Sequence, residues 1–129
     1  MNKDVVERFL HAAVQSDTET MRPLVQDEVI WWVPMSASLK FGLERPLQGW
    51  DNIDWLGGSG WKAFQPGSSV LTIHHLVADG DLVSAHYNRK AMRLDGAEYD
   101  TEYNILFRLI EGRIAEVWEV ADTAKAFAR

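Results

Sequence analysis

The feature that most constrains the fold is a series of three turn signals, Asp79-Gly80, Asp95-Gly96 and Glu111-Gly112, spaced by 16 residues. Asp-Gly between β-rich runs is the strongest short hairpin signal, and Glu-Gly is a weaker form of it. The series predicts a four-stranded antiparallel meander over residues 70–78, 81–94, 97–110 and 113–121. Strands of this length favour a strongly twisted, bent sheet.

The first part of the chain is predicted to be mainly helical. Apolar residues from Val5 to Val14 recur at helical spacing. Asp17 is a plausible N-cap for a second helix that runs to about Val25. Residues 27–34 are predicted as a strand that Pro34 stops, residues 35–48 as a loop, and residues 49–56 as a short helix. Helices followed by an antiparallel meander indicate the α+β class.

Two-residue turns would fix the register of the meander, so its two faces can be predicted. Pairing Leu94 with Ala97, and Ile110 with Arg113, places Ile105 opposite both His86 and Trp118. The face that carries these residues is the more apolar one and is expected to pack on the helices. It also carries six polar side chains: His75, His86, Asn88, Lys90, Tyr103 and Asp122. A purely structural core has little use for them, so this pattern predicts a ligand cavity.

Composition narrows the class of protein. The 129 residues suit a single domain, 1–129, and the net charge of −6 without a basic run argues against nucleic-acid binding. There is no apolar run long enough to span a membrane and no signal-peptide pattern, so a cytoplasmic location is the default expectation. The chain has no cysteine, which excludes disulfides and thiolate zinc sites. Its six tryptophans suit a roomy apolar pocket.

The order of elements resembles the nuclear-transport-factor-2-like, or cystatin-like, α+β fold, and most closely its SnoaL-like and ketosteroid-isomerase-related group. The segments that carry the resemblance are "FLHAAVQSDTETMRPLVQDEVIWWVP", "PLQGWDNI", "LVADGDLVSA" and "YDTEYNILFRLIEGRIAEVWEVADTAKAF". The resemblance implies a cone-shaped domain in which N-terminal helices pack on a bent sheet around a pocket. It also implies a homodimer formed through the outer sheet face, where Tyr87, Leu106 and Val117 are expected.

The resemblance also allows the catalytic positions of the group to be compared with this chain. The two aspartates and the tyrosine of true ketosteroid isomerases fall at Val33, Ile105 and Phe9, so a steroid double-bond isomerase is not expected. The last-strand aspartate of epoxide-hydrolase-like members matches Asp122, but their Arg-x-Asp pair falls at His86-x-Asn88. The pattern of the polyketide cyclases, an aspartate near Asp122 with a histidine, fits best.

Each candidate residue has a structural alternative. Asp122 is either a general base in an apolar cavity or the N-cap of a short C-terminal helix. His86 is either a proton shuttle or a hydrogen-bonded core residue. Asn88 and Tyr103 would orient a carbonyl or a water, or would satisfy each other. An ion pair between Lys90 and Asp122 would lower the pKa of the carboxyl group and weaken it as a base.

The remaining candidates are assigned to the pocket lining or to the core. His75, Trp31, Trp55 and Trp118 are predicted as substrate-binding residues, although tryptophans most often belong to the core. No metal set is predicted, because His74 and His75 should point to opposite faces and His75 and His86 lack a third ligand. "GGSG" is followed by no Lys-Ser/Thr and is not a phosphate-binding loop.

The sequence therefore predicts an enzyme that needs no cofactor and performs acid–base chemistry of the isomerase, cyclase or hydrolase type. Its substrate would be a small apolar oxygenated molecule, with Asp122 and His86 as the catalytic pair. The alternative is a non-catalytic module of the same fold that binds a small molecule or a protein partner. Titration of Asp122 and His86 separates the two interpretations, because active sites tune pKa values.

Overall fold

The structure, a computed structural model, describes residues 1–53 and 64–121. The helices are α1 (Asn2–Val14), α2 (Thr18–Met21), which continues into a 3₁₀ turn (Arg22–Leu24), and α3 (Met35–Phe41). Residues 50–53 are helical too. The strands are β1 (Val25–Trp32), β2 (Leu47–Gln48), β3 (Val70–Asp79), β4 (Leu82–Met92), β5 (Glu98–Ile110) and β6 (Arg113–Ala121).

The N-terminal helices form where the sequence predicts them. Asp17 caps α2, because its Oδ1 accepts a hydrogen bond from the backbone N–H of Thr20 at 3.2 Å. The predicted loop at residues 35–48 is wrong, since it contains α3 and β2. Pro34 precedes the first residue of α3, and Gly42 ends the helix in the left-handed conformation at φ 65°. These are the residue types that favour a helix start and a helix end.

The strands form one mixed sheet in the order β2-β1-β6-β5-β4-β3. The predicted meander is confirmed, since β3, β4, β5 and β6 pair antiparallel with their neighbours in sequence. β1 joins the sheet by pairing parallel with β6 and antiparallel with β2. The sheet therefore carries the first strand of the chain beside the last one.

The sheet has two faces, which we call inner and outer. The inner face carries Ala85, Tyr87, Ile105, Phe107 and Val117 and packs against α1. The buried side of α1 packs on this face and completes the core with residues such as Val6, Phe9 and Leu10. Apolar burial between one helix stripe and one sheet face is the main source of stability in such a layer. Among the described residues, no helix is long and apolar enough to cross a lipid bilayer.

The predicted register of β4 is wrong by one residue. Arg93 pairs with Ala97 through a backbone hydrogen bond of 2.8 Å, so the turn holds three residues, 94–96, instead of two. A shift of one residue moves every side chain of a strand to the opposite face. Tyr87 therefore lies inside, whereas His86 and Asn88 point to the outer face, opposite Asn104 and Glu102.

The register of β6 also departs from the prediction. Ile110 pairs with Arg113 as expected, but the register shifts by one residue between Arg108 and Leu109. A β-bulge of this kind exchanges the two faces beyond it. Glu119 therefore lies opposite Ile105 on the inner face, and Trp118 lies opposite Leu106 on the outer face.

A third irregularity lies in β3, between Ile73 and His75. Ile73 pairs with Tyr87 and packs against the core. His75, however, pairs with His86 and is exposed on the outer face, which corrects its predicted position inside.

The register corrections in β4 and β6 also change the predicted dimer surface. Tyr87 and Val117 do not belong to it, because both are buried inside, while Leu106 stays on the outer face.

Candidate active site

A cavity of about 80 Å³ lies between α1 and the inner face of the sheet. Its described lining is apolar and aromatic on the helix side, where Phe9, Leu10, Ala13 and Val14 contribute. The sheet side adds Ile105 and a group of polar or aromatic residues: Trp31, Tyr87, Arg89, Tyr103 and Glu119. An apolar cavity with a few convergent polar groups is the usual form of a small-molecule site.

Glu119 is the carboxyl group among the described residues that line this cavity. The β6 bulge turns it inward, and its Oε1 accepts a hydrogen bond of 2.8 Å from the indole Nε1 of Trp31. Burial raises the pKa of Glu119 above its ordinary value, and the bond from Trp31 only partly opposes this effect. A carboxyl group with a raised pKa is a stronger base than an ordinary one, which suits it to exchange a proton with a bound molecule.

Two tyrosine rings lie beside this carboxyl group. Tyr87 and Tyr103 are cross-strand neighbours and stack with their centroids 4.9 Å apart and an interplanar angle of 9°. Burial raises the pKa of both phenols well above the ordinary value. Both hydroxyl groups therefore stay protonated and can donate hydrogen bonds. The hydroxyl groups of Tyr103 and Tyr99 are hydrogen-bonded to each other.

Arg89 brings a positive charge to the same wall. It is only 5% exposed, and its guanidinium lies 4.4 Å above the ring of Phe64. Its Nη2 donates to Ser69 Oγ at 3.0 Å and to the backbone oxygen of Val14 at 3.4 Å. Burial lowers the pKa of Arg89 from its ordinary value, and the neighbouring phenols oppose this effect. The group therefore supplies a fixed cation to a cavity that also holds a carboxyl group.

The structure places two of the predicted site residues in the cavity. Trp31 is 6% exposed and packs against Phe9, with the ring centroids 6.0 Å apart. Tyr103 lies on the inner face as predicted, but its cross-strand neighbour is Tyr87 and not Asn88. The predicted Asn88–Tyr103 pair is therefore wrong, and a Tyr87–Tyr103 pair takes its place.

The other described candidates lie on the outer face. His75, His86, Asn88, Lys90 and Trp118 all point away from the cavity. Asn88 donates to Asp100 Oδ1 at 2.6 Å, and Arg108 lies 5.4 Å from the centre of the Trp118 ring. The predicted pairing of an aspartate with a cavity histidine thus has no histidine among the described lining residues. Asp122 and Trp55 lie outside the described residues.

Sequence reasoning missed Arg89 and Glu119 for different reasons. In β4, Val83, Ala85 and Tyr87 alternate with polar residues, and this period-2 pattern already favours the observed face. Following it would have placed Arg89 inside. In β6, Val117 and Trp118 are both large and apolar, so alternation cannot show the bulge that turns Glu119 inward.

Comparisons with solved structures agree with this fold. IdmH from Streptomyces antibioticus, named as a candidate polyketide cyclase, is 21% identical over 99% of this chain and 96% of its own, with a TM-score of 0.78. TerC, co-crystallised with polyporic acid, is 18% identical over 95% and 92%, with a TM-score of 0.79. AclR from Streptomyces galilaeus, named as a candidate hydroxylase, is 16% identical over 99% and 79%, with a TM-score of 0.73. At these identities the likeness establishes the fold alone.

The sequence comparisons identify the family. A search of curated proteins finds no match. The family model of the SnoaL-like domain matches residues 6–117, which is most of the chain. The match covers most of α1, all of β1 to β5, and β6 as far as Val117. This chain therefore belongs to the SnoaL-like domain family, within the nuclear-transport-factor-2-like fold.

Proposed function

We propose that this protein is an enzyme of the isomerase or cyclase type that moves a proton on a small, largely apolar, oxygenated molecule. The observation that carries the proposal is the partly buried carboxyl group of Glu119, which shares an aromatic cavity with hydrogen-bond donors and a cation. The polyketide cyclase name of IdmH is consistent with such a role. Steroid isomerisation by the ketosteroid-isomerase residues is not part of the proposal, because those positions hold Phe9, Val33 and Ile105.

The reaction that suits these groups begins at a carbon next to a carbonyl group. The Glu119 carboxylate takes the proton as the C–H bond breaks, and the electron pair moves onto the carbonyl oxygen. The phenol of Tyr103 donates to that oxygen, and the charge of Arg89 stabilises the enolate. Return of the proton to another carbon of a conjugated enolate gives an isomer. Attack of the enolate carbon on a second carbonyl group instead closes a ring, as the π pair of that carbonyl moves onto its oxygen and the resulting alkoxide takes the proton back from Glu119.

The size of the cavity limits what enters it. A volume of about 80 Å³ is well below the roughly 300 Å³ at which pockets begin to enclose a drug-sized ligand. We infer that the described part of the cavity takes the reactive end of the substrate, where the carbonyl group lies. The aromatic rings of Phe9, Trp31 and Tyr103 favour a flat, unsaturated ring at that end.

The test begins with binding and continues with proton exchange. A panel of bicyclic and tricyclic ketones and hydroxyquinones, with 1-tetralone as the simplest member, is screened by thermal shift. Each binder is then incubated in D₂O, and deuterium at the carbon next to the carbonyl is measured by mass spectrometry. We expect exchange with the wild type and a loss of about 10²- to 10⁴-fold in Glu119→Gln, the range of general-base catalysis.

Asp122 is the second candidate base, and Asp122→Asn is the matched variant for it. Exchange that survives in Asp122→Asn but not in Glu119→Gln supports Glu119. The reverse result transfers the role to Asp122. Tight binding without exchange in any of the three proteins contradicts catalysis and leaves a small-molecule carrier.

We further propose a homodimer formed through the outer face. Trp32, Trp118 and Leu106 form one row across β1, β6 and β5, and each is only partly buried. Val77 and Val120 on the same face are 62% and 65% exposed. An apolar patch of this kind marks an interaction surface more often than a solvated one.

Location in the cytoplasm stays a prediction from the sequence.

A further inference from the structure

A cluster of three side chains on the outer face lies apart from the cavity and is not used by the proposed reaction. His74 in β3, His86 in β4 and Glu102 in β5 bring their ligand atoms within 4.8 Å of one another. The side chains are 36%, 43% and 50% exposed, respectively. In the single chain, a dissolved ion can therefore reach all three of them without opening the fold.

The irregularities of the sheet produce this cluster. The bulge in β3 changes the register at His74, so this residue no longer follows simple alternation with His75. The three-residue turn before β5 places His86 on the outer face, where its neighbour Asn88 lies opposite Glu102. The prediction that no metal set exists rested on opposite faces for His74 and His75 and on the lack of a third ligand for His75 and His86. The bulge removes the first ground, and the second does not concern the set of His74, His86 and Glu102.

The spacing of the atoms fits a tetrahedral ion. Zinc binds imidazole nitrogen and carboxylate oxygen at about 2.0–2.2 Å, so two ligand atoms on a tetrahedral zinc stand about 3.3 Å apart. The Nε2 atoms of His74 and His86 both lie 3.3 Å from the same Oε1 of Glu102. Two of the three ligand–ligand distances thus already have the required length. The third, between the two imidazole nitrogens, is within 4.8 Å, and rotation of the exposed His74 ring can shorten it.

The kind of donor selects the kind of ion. Two imidazoles and one carboxylate suit borderline transition metals, and a His₂Glu set with an open position is a known form of zinc site. We propose that His74, His86 and Glu102 form a binding site for a divalent transition-metal ion, with Zn²⁺ as the ion that fits it best.

His75 supports the site without being a ligand. Its Nδ1 lies 3.2 Å from Nδ1 of His86, and the two rings are stacked at an angle of 8°. When His86 binds a metal through Nε2, its proton stays on Nδ1 and is donated to His75. Such a bond fixes both the tautomer and the orientation of a metal-binding histidine. His75 is therefore a positioning residue.

The experiment uses the full-length chain without an affinity tag. Zn²⁺ is titrated by calorimetry, and Co²⁺ serves as an optical probe, because its visible absorption distinguishes four-coordinate from six-coordinate ions. The ligand variants are His74→Gln, His86→Gln and Glu102→Gln, and His75→Gln tests the positioning residue. His11→Gln is the matched control, since His11 is exposed on α1. Circular dichroism without metal verifies that each variant is folded.

We expect the wild type and His11→Gln to bind Zn²⁺ equally and to give the Co²⁺ spectrum of a four-coordinate ion. Each of the three ligand variants should bind at least about 10-fold more weakly, and His75→Gln should show a loss of about 10-fold with the spectrum retained. Added Zn²⁺ should also raise the melting temperature of the wild type but not of Glu102→Gln.

Two results overturn the proposal. One is a wild type that gives neither a heat of binding nor a Co²⁺ spectrum. The other is wild-type affinity in folded His74→Gln and Glu102→Gln, which would place any bound metal elsewhere. Because His74 and Glu102 are exposed, their replacement should leave the fold intact. The Glu119 reaction would be unaffected by either result.

Discussion

At the scale of single residues, the inward position of Glu119 couples the stability of the fold to pH. Burial raises the pKa of this carboxyl group in the folded state above the ordinary value of 4.5. Between the two values, the folded state binds more protons than the unfolded state, so the free energy of unfolding falls as pH rises. The contribution is fully present below the ordinary value and is lost as the pH passes through the raised value.

Glu119→Gln removes this titration. Relative to the wild type, the variant should gain stability as pH rises through that window, by about 1.4 kcal/mol for each pH unit of its width. Urea unfolding followed by tryptophan fluorescence, from about pH 4 to pH 8, measures the difference. Glu7→Gln, at an exposed position on α1, is the control for the loss of one carboxylate. A difference between Glu119→Gln and the wild type that does not vary with pH would mean that burial leaves Glu119 unperturbed.

At the scale of elements, the turn between β4 and β5 decides which side chains enter the cavity. Gly96 closes this turn with φ 89°, and its N–H donates to the backbone oxygen of Arg93 at 3.0 Å. A three-residue loop that ends in a left-handed glycine is a common hairpin connection. An added Cβ at Gly96 meets no heavy atom within 4 Å, so a substitution there costs backbone strain and not a clash.

Gly96→Ala should therefore lower the free energy of unfolding by about 1–2 kcal/mol, the cost of a left-handed conformation for an ordinary residue. Gly96→Asn should lose clearly less, because asparagine tolerates this conformation. Chemical denaturation of the three proteins gives the two differences. Equal losses for alanine and asparagine would show that the turn does not depend on positive φ.

The same turn shows how far the sequence could predict this fold. The helix–helix–strand–meander order follows from helical spacing, the Asp17 cap and the Gly turns, and the structure confirms it. The faces of β5 were also correct, since Tyr103, Ile105 and Phe107 lie on the inner face. An Asp-Gly pair, however, occurs in turns of two residues and in turns of three. Because the turn has three residues and not the predicted two, His86 lies on the outer face and Arg89 on the inner face, the reverse of the prediction. The bulges in β3 and β6 have no comparable signal in the sequence. Neither the inward position of Glu119 nor the cluster of His74, His86 and Glu102 could therefore be predicted.

At the scale of the whole molecule, the sheet is used on both faces. Its inner face, together with α1, encloses a cavity. Its outer face carries an apolar row beside the cluster of His74, His86 and Glu102. A sheet with one solvated face normally presents polar residues there. The row of Trp32, Trp118 and Leu106 departs from that rule, and burial against a second copy would remove its apolar surface from water.

This arrangement makes the assembly state testable. Sedimentation equilibrium of the wild type should give about twice the chain mass of 14.7 kDa. Leu106→Glu places a carboxylate at the β5 end of the apolar row, where the interface would bury it without a partner, so the dimer should weaken by at least about 10-fold. Leu94→Glu makes the same change in the exposed β4–β5 turn and should leave the mass unchanged. A monomeric wild type, or a Leu106→Glu variant that stays dimeric, would exclude this face as the interface, because the apolar row would then be either solvated or outside the contact.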